Sequence, residues 1–300
     1  MKLRSCLLSA AVVPLLAAAP SAFAADLARV PARAPVVDAT PSGDGFVSVA
    51  AGGAWVDEDF GGGDTFSTNG LSLEGAASGE YNFTTTLGFQ GDVVFRQQDL
   101  ADDGDTDRSR TFDAAAHAFY RTDEYLLGGI VQAGTTELGT VEGGDFGGDA
   151  GLDHSYAGLE GQYFLGDLTL YGQAAVTHQS VFGNDATGAA GTLELRYFLT
   201  PNFKIEGHVA GTRLDFESET ADTLQAGASA EYRFDNQPFS IFAKYDFSRD
   251  TIEGEPGSVS DNRVLVGLKF NLGTQTLKDR DRSGASLKPF EAPSQFFEAE

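Results

Sequence analysis

Cysteine, methionine and tryptophan each occur once in this 300-residue chain, and acids outnumber bases 44 to 20. A single cysteine excludes a disulfide framework and any multi-cysteine metal site. A net charge of −24 argues against nucleic acid as a partner, because a phosphate backbone needs a basic footprint. Beyond the N-terminus no apolar run approaches the ~18 residues of a transmembrane helix, and a mean hydropathy of −0.18 is too polar for a bundle of such helices. Yet the chain is 41% hydrophobic and 11% aromatic, too apolar for a disordered polymer. What is abundant is glycine, 37 residues, alongside 23 Phe and 9 Tyr. That combination points to an all-β protein with polar loops.

The N-terminus reads as an export signal. Lys2 and Arg4 precede an apolar run from Cys6 to Ala19, and Ala22-Phe23-Ala24 supplies a small-x-small cleavage site before Ala25. The run is about 14 residues, short of the ~20 that a membrane anchor requires. Cys6 starts the run, whereas an acylated cysteine would follow it. Removal of residues 1–24 leaves a mature chain without cysteine and more acidic still. If that chain crosses a membrane, it must do so as strands.

After a Pro- and Ala-rich linker at 25–44, period-two alternation dominates. It predicts twelve strands near 45–56, 70–82, 83–97, 110–121, 124–134, 154–165, 168–178, 190–199, 203–213, 223–234, 239–248 and 262–272. Short connections at 82, 122–123, 166–167, 200–202 and 235–238 alternate with long ones at 57–69, 98–109, 135–153, 179–189, 214–222 and 249–261. An even count of strands with alternating tight turns and long loops is the pattern of an up-and-down antiparallel transmembrane β-barrel, both termini on the tight-turn side.

Charge parity sharpens this. Eight strands carry two charged residues each: Glu74/Glu80, Asp92/Arg96, Asp113/Arg121, Glu194/Arg196, Lys204/Glu206, Glu231/Arg233, Lys244/Asp246 and Arg263/Lys269. Every pair has even spacing and so shares one face, which chance would give about once in 256 trials. The opposite faces, such as Val264/Val266/Leu268/Phe270/Leu272, are uncharged. Lipid outside and a polar lumen inside account for this, since a base on the lipid face costs about 2–4 kcal/mol at mid-membrane. A soluble barrel would reverse the faces, but apolar faces rich in Gly75, Ala77, Gly79, Ala114, Ala116 and Ala118 would make it a thin core. Aromatics at the short turns (Tyr81, Phe83, Tyr120, Tyr125, Tyr163, Tyr197, Phe203, Phe234, Phe239) read as a membrane-interface girdle.

Signal peptide, an Ala25-Asp26-Leu27 mature start, alternating hairpins and girdle together resemble the Gram-negative outer-membrane β-barrels of the porin-like superfamily. The resemblance covers 45–272 and implies an outer-membrane location with periplasmic termini, and the outer-membrane assembly machinery as a partner. Such barrels usually end in an aromatic-closed strand. Val264–Leu272 resembles it, but this chain runs 28 residues further.

The expected function is a porin-like passive channel for small polar solutes or ions. The expected pore-lining residues are Glu194, Arg196, Lys204, Glu206, His208, Glu231, Arg233, Lys244, Asp246, Arg263 and Lys269. They form either an ion-pair mesh or a selectivity zone. The alternatives are a non-conducting structural or surface-binding barrel acting through acidic loops and, third, an outer-membrane hydrolase using His178 and Ser155. The acidic loops also suit divalent cations that bridge to lipopolysaccharide. Asp103-Gly-Asp-Thr-Asp107 resembles a calcium loop, but Arg108 stands where the EF-hand needs Gly. No catalytic centre, metal site or cofactor is assigned. The tail at 273–300 is expected to stay disordered, with plugging of the lumen and docking to a periplasmic partner as its alternatives.

Overall fold

The computed structural model describes residues 42–62, 65–102, 105–140, 151–181, 184–216 and 219–291. The signal peptide, most of the linker, the centre of the longest loop and the Gln295-Phe296-Phe297 patch lie outside these residues, as do Asp103 and Gly104. The described chain forms twelve strands and one helix: β1 Ser42–Asp59, β2 Thr65–Asn82, β3 Leu87–Asp102, β4 Asp105–Arg121, β5 Tyr125–Thr140, β6 Gly151–Leu165, β7 Leu168–Val181, β8 Asn184–Thr200, β9 Phe203–Asp215, β10 Thr220–Arg233, β11 Phe239–Ile252, β12 Ser258–Leu272 and α1 Leu277–Ser283. Each strand pairs antiparallel with its sequence neighbours, and β1 closes on β12, so the barrel has no free edge.

The parity reading holds. Both members of all eight charge pairs face the interior, while Leu195, Val266, Leu268 and their counterparts are exposed on the outside. On β3 the outward residues Leu87, Phe89, Val93 and Phe95 make an apolar stretch roughly 25 Å along the strand. Beyond it the outward positions turn polar at Gln97 and Asp99. The girdle is present as ring contacts at the short-turn end, among them Tyr81–Phe83 and Phe239–Phe270, each with centroids 5.3 Å apart.

Three expectations about boundaries need correction. The strands run well past the apolar band, so most of the expected long loops are hairpin extensions; the β3–β4 connection, expected at 98–109, is only residues 103–104. Hydrophobic alternation fades there, but cross-strand polar pairs carry the ladder on, as Arg108 does by donating to Asp99 at 2.7 and 2.9 Å. The third strand starts at Leu87 rather than 83, because Thr84 Oγ1 accepts from the backbone N–H groups of Thr86 and Leu87 (3.1 and 2.9 Å) and holds a turn over 83–86. The barrel also begins at Ser42, inside the expected linker, with Ser42 opposite Asn82.

The larger correction concerns the tail, which is ordered to Glu291 and sits inside the barrel. Gly273, at φ +86°, turns the chain from β12 into the lumen, and a Cβ there would lie 2.7 Å from Asp44 Oδ2. Helix α1 follows, with Thr276 accepting from Asp279 N–H at 3.0 Å as its N-cap and the Gly284 N–H donating to Arg280 O at 2.9 Å. Seven residues are too few for a stable isolated helix. The wall of the lumen holds it.

Candidate functional site

All eleven residues expected to line the pore point into the lumen, but the lumen is occupied. Residues 274–291 enter at the short-turn end, beside both described ends of the barrel, and climb through the interior. At the entrance Asp44 of β1 accepts from Thr274 N and Oγ1 and from Ala285 N (2.8, 2.7 and 2.9 Å). Lys278 donates to Asp167 in the β6–β7 turn at 2.7 Å, and this donor and its charge hold the exposed Asp167 carboxyl below the usual carboxylate range.

One turn deeper, the helix charges meet the wall. Arg280 donates to both oxygens of Glu231 on β10 (3.0 and 3.1 Å) and to Asn271 of β12. Glu231 also accepts from Lys269 at 3.0 Å and lies 3.8 Å from Lys204, so one carboxylate serves three cations. Phe46 completes the group, with Lys269 4.5 Å and Arg280 5.2 Å from its ring centre. On the other side Asp281 accepts from Arg196 Nη1 at 2.8 Å and from Thr169 Oγ1 at 2.5 Å. Buried charges of this kind persist only when paired and hydrogen-bonded.

Beyond Gly284 the tail is extended and the wall grips its backbone. Gln90 donates to Leu287 O (2.8 Å) and accepts from Leu287 N–H (3.1 Å), and Gln132 does the same for Phe290 (3.0 and 2.7 Å). Gln162 donates to Ser286 O at 3.3 Å and Gln173 to Lys288 O at 2.7 Å. Leu287 packs among Phe119, Leu126, Phe164 and Tyr171, while Phe290 stacks on Tyr156 at 5.0 Å beside Ile130. Lys288 bridges Glu194 and Glu206 (2.7 and 3.0 Å).

The opposite half of the wall is as charged as the expected zone. His117 is fully buried between Asp92 (3.0 Å) and Glu160 (2.8 Å), and Tyr171 Oη donates to Glu160 at 2.9 Å. A belt of hydrogen bonds and ion pairs then continues around the lumen: His154–Asp113 (2.6 Å), Asp113–Arg96 (3.0 Å), Arg96–Glu74 (3.5 Å), Glu74–Lys244 (2.7 Å) and Lys244–Asp246 (3.1 Å). Gly134 stands in register between Asp113 and His154. Its missing side chain makes their contact possible, because a Cβ there would lie 2.4 Å from both Asp113 Oδ1 and His154 Nε2.

The expected cross-strand partners are present: Arg196 lies opposite Glu206 and Glu194 opposite His208. Glu194 and Arg196 also bond each other at 2.5 Å, and Lys204 meets Glu206 at 2.5 Å. Arg233 donates to Gln237 O at 3.1 Å and Arg263 approaches Glu291 at 3.9 Å. His208, Asp246 and Glu291 bring possible ligand atoms within 4.8 Å of one another, a grouping invisible to sequence spacing. Lys244 and Arg263 stand beside its two carboxylates and balance their charge. His178 and Ser155 are register partners, as the hydrolase alternative supposed, but exposed His178 faces Asp185 at 3.9 Å.

Sequence reasoning missed the four glutamines and placed the lumen-plugging tail behind a disordered one. The available signal was that Gln90, Gln132, Gln162 and Gln173 all fall on the inward parity of their strands, as buried amides that need partners.

No protein-family model matches the chain, and no curated protein matches it in sequence. Solved structures do match. The translocator domain of the autotransporter NalP from Neisseria meningitidis aligns with a TM-score of 0.50 at 13% identity, covering 77% of this chain and 89% of that one. An outer membrane channel from Pseudomonas putida F1 aligns with a TM-score of 0.51 at 13% identity, covering 80% and 99%. Identity this low carries the fold and nothing finer. With its apolar outer band, charged interior and closed antiparallel order, the chain has the fold of the Gram-negative outer-membrane β-barrels.

Proposed function

We propose that the protein is an outer-membrane channel for small polar solutes or ions whose lumen is closed, in this conformation, by its own C-terminal segment. The observation that carries this reading is what fills the barrel. The inward face is charged from the entrance to the belt, and its central space is filled by a segment tethered at one end rather than by interlocking wall side chains alone. A segment held by hydrogen bonds and ion pairs can leave without unfolding the sheet, and it would then uncover charges suited to sorting ions. In this reading the short turns and both termini face the periplasm, and the acidic hairpin ends face outward. There Arg213 pairs with Asp222 and Glu253, and the other acids of the hairpin ends suit divalent cations shared with lipopolysaccharide.

The test is planar-bilayer current. Wild type should show rare, brief openings. The pair Asp281→Ala and Lys288→Ala removes the tail's ties to Arg196, Glu194 and Glu206, and should lengthen the open time by at least tenfold. A folded variant that never conducts would sink the channel and favour the non-conducting, surface-binding reading.

A further inference from the structure

The tail is gripped mainly through its peptide backbone. Between Ser286 and Phe290 the wall meets four carbonyls and two N–H groups with side-chain amides, and Tyr171 Oη accepts from the N–H of Lys288 at 3.3 Å. Pro289, which has no N–H to satisfy, falls between the gripped Lys288 and Phe290. A glutamine amide carries one donor face and one acceptor, so Gln90 and Gln132 each reproduce what a neighbouring strand would present. Side-chain identity is read at only a few places: a largely aromatic socket takes Leu287, a socket of small aliphatic side chains with the Tyr156 ring takes Phe290 three residues on, and a carboxylate pair takes Lys288.

We infer that the barrel interior is a binding site for an extended polypeptide segment, of the pattern aliphatic–basic–x–aromatic, occupied here by the chain's own residues 287–290. The inference rests on reading the tail as removable. It goes further in that the site recognises a peptide from any source, not only one covalently attached. In the wild type the tethered tail competes at an effective concentration of about millimolar, which masks the site from micromolar ligand.

The probe is a fluorescein-labelled synthetic peptide of residues 284–291, Gly-Ala-Ser-Leu-Lys-Pro-Phe-Glu, titrated by anisotropy against full-length barrel in detergent. The barrel variant Leu287→Ala with Phe290→Ala keeps the tail attached but weakens its hold. Saturable binding to this variant is expected, with affinity at least tenfold above that of wild type. Adding Gln90→Ala and Gln132→Ala should cost at least a further tenfold. A scrambled peptide, and one with both apolar residues replaced by Asp, should bind at least tenfold more weakly; these peptide controls leave the barrel untouched. Equal binding of native and scrambled peptide, equal binding to wild type and variant, or no saturable binding to a variant that keeps the gel mobility of a folded barrel would each overturn the inference. Anisotropy needs no current, so peptide binding without conductance would sink only the channel reading, and conductance without peptide binding only this one.

Discussion

Replacing Glu231 by Gln should release the tail. The change is nearly isosteric, but it leaves Lys204, Lys269 and Arg280 facing a neutral amide. At 3.0 Å, the Arg280–Glu231 attraction is about 5 kcal/mol at an effective dielectric of 20. Removing one partner of a buried pair costs about 3–5 kcal/mol, because the other charge stays unpaired. The lower figure already raises the tail-out population about 100-fold. Trypsin reads that population. Arg280 and Arg282 sit inside the barrel, and cleavage after either needs α1 to leave and unwind. With fast exchange, the cleavage rate follows the fraction exposed. We expect cleavage in Glu231→Gln about 100-fold faster than in wild type, in protein that keeps the mobility of a folded barrel. Lys269→Met is the discriminating control. Lys269 shares Glu231 but touches no tail residue in this arrangement, so its loss leaves the carboxylate to Arg280 and should not speed cleavage. The reasoning fails if Glu231→Gln changes the rate by less than about threefold, or if Lys269→Met matches it.

Gly134→Ala places a Cβ 2.4 Å from both Asp113 and His154 and should cost about 1–3 kcal/mol, read as a lower urea midpoint, with Ala133→Gly as a neutral-face comparison. Nitroxide labels on cysteines at Val266 and Leu195 should be quenched by lipid-soluble oxygen and not by an aqueous nickel complex; the reverse pattern would make this a soluble barrel. An epitope tag near Gly147 should be reachable on intact cells, and a tag at the β6–β7 turn should not. In a tail-releasing background, Lys204→Glu with Lys244→Glu should shift the reversal potential in a salt gradient toward cations, and an unchanged value would mean these side chains do not border the ion path.

The barrel was legible in the sequence because lipid enforces a strict rule. A charge on the outer face is penalised residue by residue, so parity survives even where strands such as β2 carry little apolar bulk. The strand ends were not legible, because past the membrane both faces are polar and pairing rests on local contacts such as Asp99–Arg108. The tail was illegible for a different reason. Lys278-Asp-Arg-Asp-Arg282 has the composition of a solvated surface, and nothing local says that its partners wait on β8, β10 and the β6–β7 turn. Long-range polar complementarity leaves no periodicity to read. The inward glutamines were a trace of it, since four amides on the buried parity require partners that the sheet ladder, already complete, does not supply.

Asp44 sits on the first strand beside the seam with the last, and it accepts hydrogen bonds from both ends of α1's flanking segments. The tail's other holds lie on β3 to β10 and on β12, around most of the circumference. No partial sheet presents them together; they come within reach of one another only once β1 has met β12. The full set of the tail's contacts therefore requires the closed barrel. A one-residue slip of any of these strands would turn its own hold away from the interior. The tail's contacts thereby span the closed cylinder, and a strand out of register forfeits those it would contribute.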